Sequence, residues 1–256
     1  MMFVLPQRNM YYCHARSLHT DKPVYQKLEG GKDHYFLAEA RVAQPCADHG
    51  VTEQSIIDWV MDNFVREGKA CIDIGAHVGV YALNMARKAS HVYAFECSPQ
   101  TFNYLCANIA LQNMHYSIDR YNVALSNKEG TARYNIRDPG DGGSNGISRF
   151  QDDEHKQTPS ITVPTRTLDS YQLTNIGFIK IDVEGHEKEV LEGALETLKA
   201  NGYPPITFES WLPNEKEEQN IPRQKLRTEL FAFLQSLGYV IHPISGWPEQ
   251  FLAARS

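Results

Sequence analysis

Two stretches of this chain carry side chains whose types and spacing could do chemistry. The first is Lys180-Ile181-Asp182-Val183-Glu184-Gly185-His186-Glu187, where a lysine, carboxylates and a histidine crowd the end of an apolar run. Strand side chains alternate, so Lys180, Asp182 and Glu184 share a face while the strand stays extended. Gly185 then frees the backbone to turn into a helix. Isolated buried charges are costly, so such a set must be paired or hydrated. A helix start that prefers acids accounts for Glu187. It does not account for Lys180 and Asp182, whose apolar neighbours should bury that strand. Histidine titrates in the range best suited to a general base, which points to His186, with Asp182 and Glu209 as rivals. Glu209 closes another short apolar run, Ile206-Thr207-Phe208-Glu209.

The second stretch is Cys71–Glu96. An apolar strand enters the turn Asp73-Ile74-Gly75-Ala76-His77-Val78-Gly79, a helical run follows, and the strand His91-Val92-Tyr93-Ala94-Phe95 ends on Glu96. This is a nucleoside-binding βαβ pattern: glycines let backbone approach a ligand, and the terminal acid accepts both hydroxyls of a ribose. A dinucleotide fold wants G-x-G-x-x-G with pyrophosphate on the helix N-terminus. Here the first glycine is replaced by Asp73, whose carboxylate would repel a pyrophosphate and welcome a cation. S-adenosylmethionine, with a ribose, an ammonium, a sulfonium and no phosphate, fits that spacing, and an NAD enzyme fits it worst.

The elements that must position these residues follow from pattern. Thr52 caps a helix to Glu67 with Ile56, Ile57, Val60 and Phe64 on one face. A strand spans 70–74, a helix Val80–Lys88, a strand 91–96, and a helix 99–112 opened by Ser98-Pro99. A third strand covers Tyr116–Ala124, and a hairpin joins Leu125 to Arg137 through Lys128-Glu129-Gly130. After a strand at Ile161–Val163 come a strand Ile176–Asp182, one helix 187–200, a strand 206–209, a helix 223–237 and strands 239–243 and 250–254. The expected fold class is α/β: one open, Rossmann-like sheet over residues 51–256, preceded by a small N-terminal β extension over 1–50. That extension holds a hairpin signal at Gly30-Gly31 and the residues His14, His19 and His34. Asp138–Gly146, with four glycines and a proline, is a surface loop or a mobile lid.

Composition narrows the function classes. The chain has 256 residues, 42% hydrophobic, enough for a full core. Its net charge of −6 gives no general pull towards DNA, RNA or an anionic membrane. No apolar run reaches the length of a membrane span. The five cysteines, Cys13, Cys46, Cys71, Cys97 and Cys106, contain no C-x-x-C pair and read as reduced thiols of a cytoplasmic protein. No recognisable metal-ligand spacing stands out, and no metal is expected.

The motifs together resemble the FkbM-type family of S-adenosylmethionine-dependent methyltransferases. The resemblance rests on Ile72-Asp73-Ile74-Gly75-Ala76-His77-Val78-Gly79, on Ala94-Phe95-Glu96 with Pro99, on Asn122-Val123-Ala124-Leu125-Ser126, on Thr167-Leu168-Asp169 and on Lys180–Glu187. Cys97 stands where the family usually has proline. The resemblance implies the class I methyltransferase fold, mostly parallel with a reversed last strand. It also implies O-methylation of sugar hydroxyls or of hydroxyls on secondary metabolites. By position, Asp73, Gly75, Ala76, His77 and Gly79 shape the pocket for the methionine part, Glu96 and Cys97 meet the ribose side, and Val123-Ala124 meets the adenine. Asp182 lies at the ammonium or the reacting centre, with Lys180, His186 and Glu209 beside it. An RNA 2′-O-methyltransferase and a nucleoside-binding protein without chemistry are the competing readings. The expected acceptor is a small molecule or glycan, with Trp211, Tyr11, Tyr12 or Tyr35 as flat faces for its ring. The number of subunits is not written in the sequence.

Overall fold

The computed structural model describes residues 2–5, 10–13, 53–137, 145–147, 159–211 and 220–255. At the start of the chain β1 (Met2–Leu5) pairs antiparallel with β2 (Met10–Cys13). The Gly30-Gly31 hairpin and His14, His19, His34 and Tyr35 lie outside the described residues, as do residues 138–144 of the proposed lid.

From Glu53 onward, strands and helices alternate. Helix α1 (Gln54–Asn63) leads to β3 (Ala70–Ile74), α2 (Val80–Met85), β4 (His91–Phe95), α3 (Pro99–Leu111) and β5 (Ile118–Tyr121). Further on come β10 (Ile176–Ile181), α4 (Glu187–Glu192), α5 (Leu195–Ala200), β11 (Ile206–Glu209), α6 (Asn220–Ser236), β12 (Val240–Ile244) and β13 (Trp247–Ala254). The seven strands form one sheet in the order β12-β13-β11-β10-β3-β4-β5. The block β11-β10-β3-β4-β5 is parallel, and β13 runs antiparallel between β11 and β12. That is the mostly parallel sheet with a reversed last strand that the sequence implied. Among the described residues no helix is long and apolar enough to cross a membrane.

Alternation divides the sheet into two buried faces. Ile72, Ile74, Ile179, Ile181, Ile206 and Phe208 stack on α4, α5 and α6 through Val190, Leu191, Leu198, Leu230 and Leu234. Cys71 and Phe178 turn the other way, against Ile56, Ile57 and Val60 of α1 and Leu83 and Leu105 of α2 and α3. Asp73 and Lys180 belong to this second face, paired in register across β3 and β10.

The single-sheet expectation needs correction. A second sheet, of order β6-β9-β7-β8, is built from β6 (Ala124–Leu125), β7 (Gly130–Asn135), β8 (Gly146–Ile147) and β9 (Ser160–Arg166). The expected Leu125–Arg137 hairpin does not form, because β9 lies between its two arms, parallel to β6 and antiparallel to β7. The third strand stops at Tyr121 rather than Ala124. Asn122 breaks it, donating its side-chain amide to the carbonyls of Glu96 (2.8 Å) and Cys97 (3.2 Å).

Two helices also differ from expectation. Helix α1 stops at Asn63, and Glu53, not Thr52, stands at its N-cap without a side-chain cap bond. The expected helix 187–200 is two helices meeting at Gly193-Ala194. The cause is a close approach: a Cβ on Gly193 would lie 2.1 Å from the Ser126 carbonyl oxygen. Helix α4 is thereby pressed onto the end of β6. Gly193→Ala should lower stability by about 1–3 kcal/mol, the usual cost of overpacking. Chemical denaturation with an unchanged midpoint would contradict this reading of the split.

Candidate active site

The turn after β3 and the end of β10 are packed into each other. Gly75 has φ +75°, and a Cβ there would stand 1.7 Å from the Asp182 carbonyl oxygen, so no other residue fits. The Gly75 and Ala76 amides both donate to the Phe95 carbonyl at 2.9 Å. His77 adopts φ +53°, an unfavourable value for a non-glycine residue, and so turns its amide to Glu96 Oε2 at 3.0 Å. The Ser98 amide donates to Glu96 Oε1 at 2.8 Å. Glu96 is thus buried and held by backbone at the cavity wall. Burial pushes its carboxyl up to about 7 against the pull of the Ser98 and His77 amides and of Lys180. Gly79, with φ +97°, opens α2, and a Cβ there would press on the Leu105 side chain at 2.7 Å.

Lys180 is the single cation of this region among the described cavity-lining residues. Its Nζ donates to the Gly75 carbonyl at 2.9 Å and lies 3.6 Å from Asp73 Oδ1 and 3.5 Å from Asp182 Oδ2. It also stands 5.2 Å from the centre of the Tyr81 ring. Burial alone would lower its pKa, but Asp182, Asp73 and Glu53 together outweigh burial and raise it. Neither oxygen of the fully buried Asp73 has a hydrogen-bond partner, and burial raises its pKa against the opposing charge of Lys180. Glu53 responds in the same way, raised by burial and opposed by Lys180.

Glu209 reaches the same place from the next strand. Asp182, Glu184 and Glu209 each offer an oxygen, all within 4.8 Å of one another. Burial, then the Asp182 and Glu184 carboxylates, push Glu209 up to about 10, so it holds a proton at neutral pH. Spacing along the chain does not show this cluster of three acids. Glu209 joins it through strand pairing rather than sequence spacing, and a divalent cation would find oxygen donors here of the kind it prefers. Glu184 has φ +57°, so the extended pattern that should align it with Lys180 and Asp182 ends there.

His186 borders the cavity, but its ring is turned to protein. Nε2 lies 3.0 Å from Ser126 Oγ, and Nδ1 3.6 Å from Glu189 Oε2. Glu187 closes the turn, accepting the Gly185 and Val183 amides at 3.1 and 3.3 Å, and burial pushes it up to about 7.

These residues surround a cavity of about 420 Å³. One end is apolar, lined by Phe95 and Val123 together with Ala124, Leu125, Tyr134 and Ile147 of the second sheet. Cys97, Ala76 and His77 complete that side. The other end is acidic, with Glu53, Asp182, Glu184 and Glu209 around Lys180. A flat base, a ribose at Glu96 and a cationic tail would find matching surfaces in that order. The structure therefore brings together the sequence-derived set, with Asp73 and Gly79 standing behind the wall. It adds Glu53, Tyr81, Tyr134, Ile147 and Trp247, which no local pattern marked. Trp211 does not line the cavity: it packs against Gly185, 3.2 Å from where a Cβ would stand, beneath the Arg223 guanidinium. The side chains of Tyr11 and Tyr12 lie outside the described residues.

Residues 73–241 match the methyltransferase FkbM domain. The chain is 25% identical over 195 residues to the hexuronic acid methyltransferase AglP of Haloferax volcanii, covering 74% of this chain and 76% of that protein. A crystal structure of methyltransferase FkbM from Methylobacillus flagellatus is 15% identical with a TM-score of 0.47. It is covered over 73% of this chain, which spans only 43% of the length of that one. The precorrin-8w decarboxylase of Methanobacterium thermoautotrophicum is 12% identical over 85% of this chain and 95% of its own, with a TM-score of 0.49.

The carboxyls of Glu96 and Glu187 give the fold a testable pH dependence. Both sit at about 7 in the folded chain against an ordinary value of 4.5. A raised folded value means stability that is present below 4.5 and lost as pH rises through about 7. Melting of the ligand-free protein should therefore fall between about pH 5 and pH 8, and Glu96→Gln should flatten part of that slope. An identical slope in Glu96→Gln would show that Glu96 is not held in this state.

Proposed function

The chain belongs to the FkbM methyltransferase family, and from that premise we propose that it moves a methyl group from S-adenosylmethionine to a hydroxyl of a sugar, glycan or glycosylated metabolite. The donor fits the residues present. Glu96 fixed by two amides and an acid-lined end suit its ribose and the positive charge of its ammonium and sulfonium. Gly75, Ala76 and His77 would hold the methionine part, with Asp73 and Gly79 supporting that turn from behind the wall, Glu96 and Cys97 the ribose side, and Val123, Ala124, Tyr134 and Ile147 the adenine. When bound, S-adenosylmethionine supplies a methyl group on a positively charged sulfur, which leaves as a neutral thioether when the acceptor oxygen takes the methyl.

What remains for the protein is alignment and a place for the acceptor's proton. The observation that carries the reading is the Asp182–Glu209 pair at the acidic end. Burial and its acidic neighbours favour the protonated form of Glu209, so we assign acceptance of the acceptor's proton to Asp182, whose carboxyl lies 3.5 Å from the Lys180 ammonium. Both nitrogens of His186 face protein groups, so we assign it to positioning α4 rather than to proton transfer.

The acceptor class follows from the field. Phosphates of an RNA would meet the acidic groups Glu53, Asp182 and Glu184, and repulsion between like charges in a low-dielectric cavity is strong. Neutral hydroxyls meet no such penalty, and the similarity to a hexuronic acid methyltransferase supports a sugar. A uronate would have to turn its carboxylate away from this end. The buried or half-buried free thiols Cys71, Cys97 and Cys106 support a reducing, cytoplasmic setting.

Labelled methyl transfer to a panel of hexose- and hexuronate-terminated saccharides tests this directly. The label is expected on a sugar oxygen. Asp182→Asn should lower turnover by roughly 10²–10⁴-fold, whereas Glu209→Gln, which replaces one neutral group by another, should cost far less at neutral pH. Near wild-type turnover in Asp182→Asn together with a large loss in His186→Ala would move the base to His186.

A further inference from the structure

Trp247 lines the cofactor cavity together with Glu53, and the same Trp247 lines a second cavity of about 410 Å³. This groove lies between α1 and the β12–β13 hairpin. Ser55 and Trp59 face it from the helix, and His242, Ser245 and Trp247 from the hairpin. Its volume is that of a small-molecule site, roughly 300–1,000 Å³.

Strand register explains why the two cavities meet. His242 pairs with Leu252, Leu252 with Thr207, Thr207 with Lys180 and Lys180 with Asp73. Side chains paired in register stand on the same face, so one row runs from the groove to the Lys180 cluster. That is the face on which α1 packs, and the start of α1 borders both cavities, Glu53 on one and Ser55 on the other. The wall between them is therefore Glu53 and Trp247.

The lining selects the occupant. Among the described residues no lysine, arginine or carboxylate lines the groove, so they offer a phosphate or a charged peptide no charged partner. A plain hydrocarbon would leave two hydroxyls and an imidazole unpaired, which is costly. Two indole faces with two hydroxyls and an imidazole match a ring that is apolar on its C–H face and hydroxylated at its rim. We propose that this groove is the acceptor subsite, binding a pyranose ring against Trp247 and Trp59 and presenting a ring hydroxyl to the cofactor cavity past Glu53. The assignment rests on the sugar O-methyltransferase reading and replaces Trp211 as the sugar-facing tryptophan.

The test uses the full chain saturated with S-adenosylhomocysteine, with methyl glucopyranoside and methyl glucopyranosiduronate as probes in saturation-transfer NMR. Transfer from indole protons should concentrate on the ring C–H protons of the probe that binds, and the two probes separate a neutral from a uronate acceptor. Ser55 is an exposed position of α1, so Ser55→Trp should fold and fill the groove. It should raise KM for the methylated sugar by about tenfold or more while leaving S-adenosylhomocysteine affinity unchanged, the pattern of lost ground-state binding. Trp247→Phe should weaken sugar binding in the same direction. If the wild type methylates a sugar and both variants keep its KM, the groove assignment falls and the sugar reading stands. If the wild type binds S-adenosylhomocysteine but binds and methylates neither probe nor any saccharide of the panel, both fall.

Discussion

The ion pairs of Lys180 tie the ends of β3 and β10 together. One ammonium donates to the Gly75 carbonyl and stands within 3.6 Å of both Asp73 and Asp182, with Glu53 close enough to raise its pKa further. Burying that many carboxylates around one cation is unfavourable by desolvation alone. The cost is tolerable because every partner is supplied by a rigid strand end or helix start. The resulting field is negative, with Lys180 the one cation among the described cavity-lining residues. Such a field receives a sulfonium and an ammonium readily, and together with burial it pushes the Glu209 carboxyl up.

The second sheet is the other condition for a working site. A seven-stranded sheet by itself leaves its carboxyl edge open. The β6-β9-β7-β8 sheet adds Ala124, Leu125, Tyr134 and Ile147 to the cavity lining beside Phe95 and Val123 and so walls in that edge. Asn122 and Gly193 decide where it can sit. Asn122 ends β5 by bonding to the backbone that carries Glu96, and Gly193 admits the Ser126 carbonyl against α4. Ser126 then reaches His186 at 3.0 Å, joining the second sheet to the start of α4.

What was legible in the sequence was what local pattern encodes. The strand 70–74, the glycine turn, Glu96 after its strand, the Ser98-Pro99 helix start and the reversed last strand all depend on neighbours a few residues apart, or on motifs shared with a family. The carboxylate cluster was half visible: Asp182 and Glu184 stand together in the chain, but Glu209 meets them only across β10 and β11. Glu53 and Trp247 sit nearly two hundred positions apart and share a wall only because β13 returns antiparallel to β11. Periodicity showed a helix over 187–200 and could not show its break, since the cause is a carbonyl from residue 126. The β6–β7 hairpin misled for the same reason: its two arms fit each other locally, and β9, from further along the chain, fits between them.

The pocket depends on the charge of Lys180 more than on its shape. Lys180→Met keeps much of the side chain's length and removes the charge, leaving Asp73, Asp182 and Glu53 without a counter-ion. Isothermal calorimetry with S-adenosylhomocysteine should then show affinity reduced by about tenfold or more, because the Gly75 turn loses the ammonium that ties it to β10, and the protein should melt earlier, since breaking one side of a buried ion pair commonly costs about 3–5 kcal/mol of stability. The loss should deepen as pH rises and the carboxylates ionise. Wild-type affinity in Lys180→Met across that pH range would contradict the claim that this one cation organises the pocket.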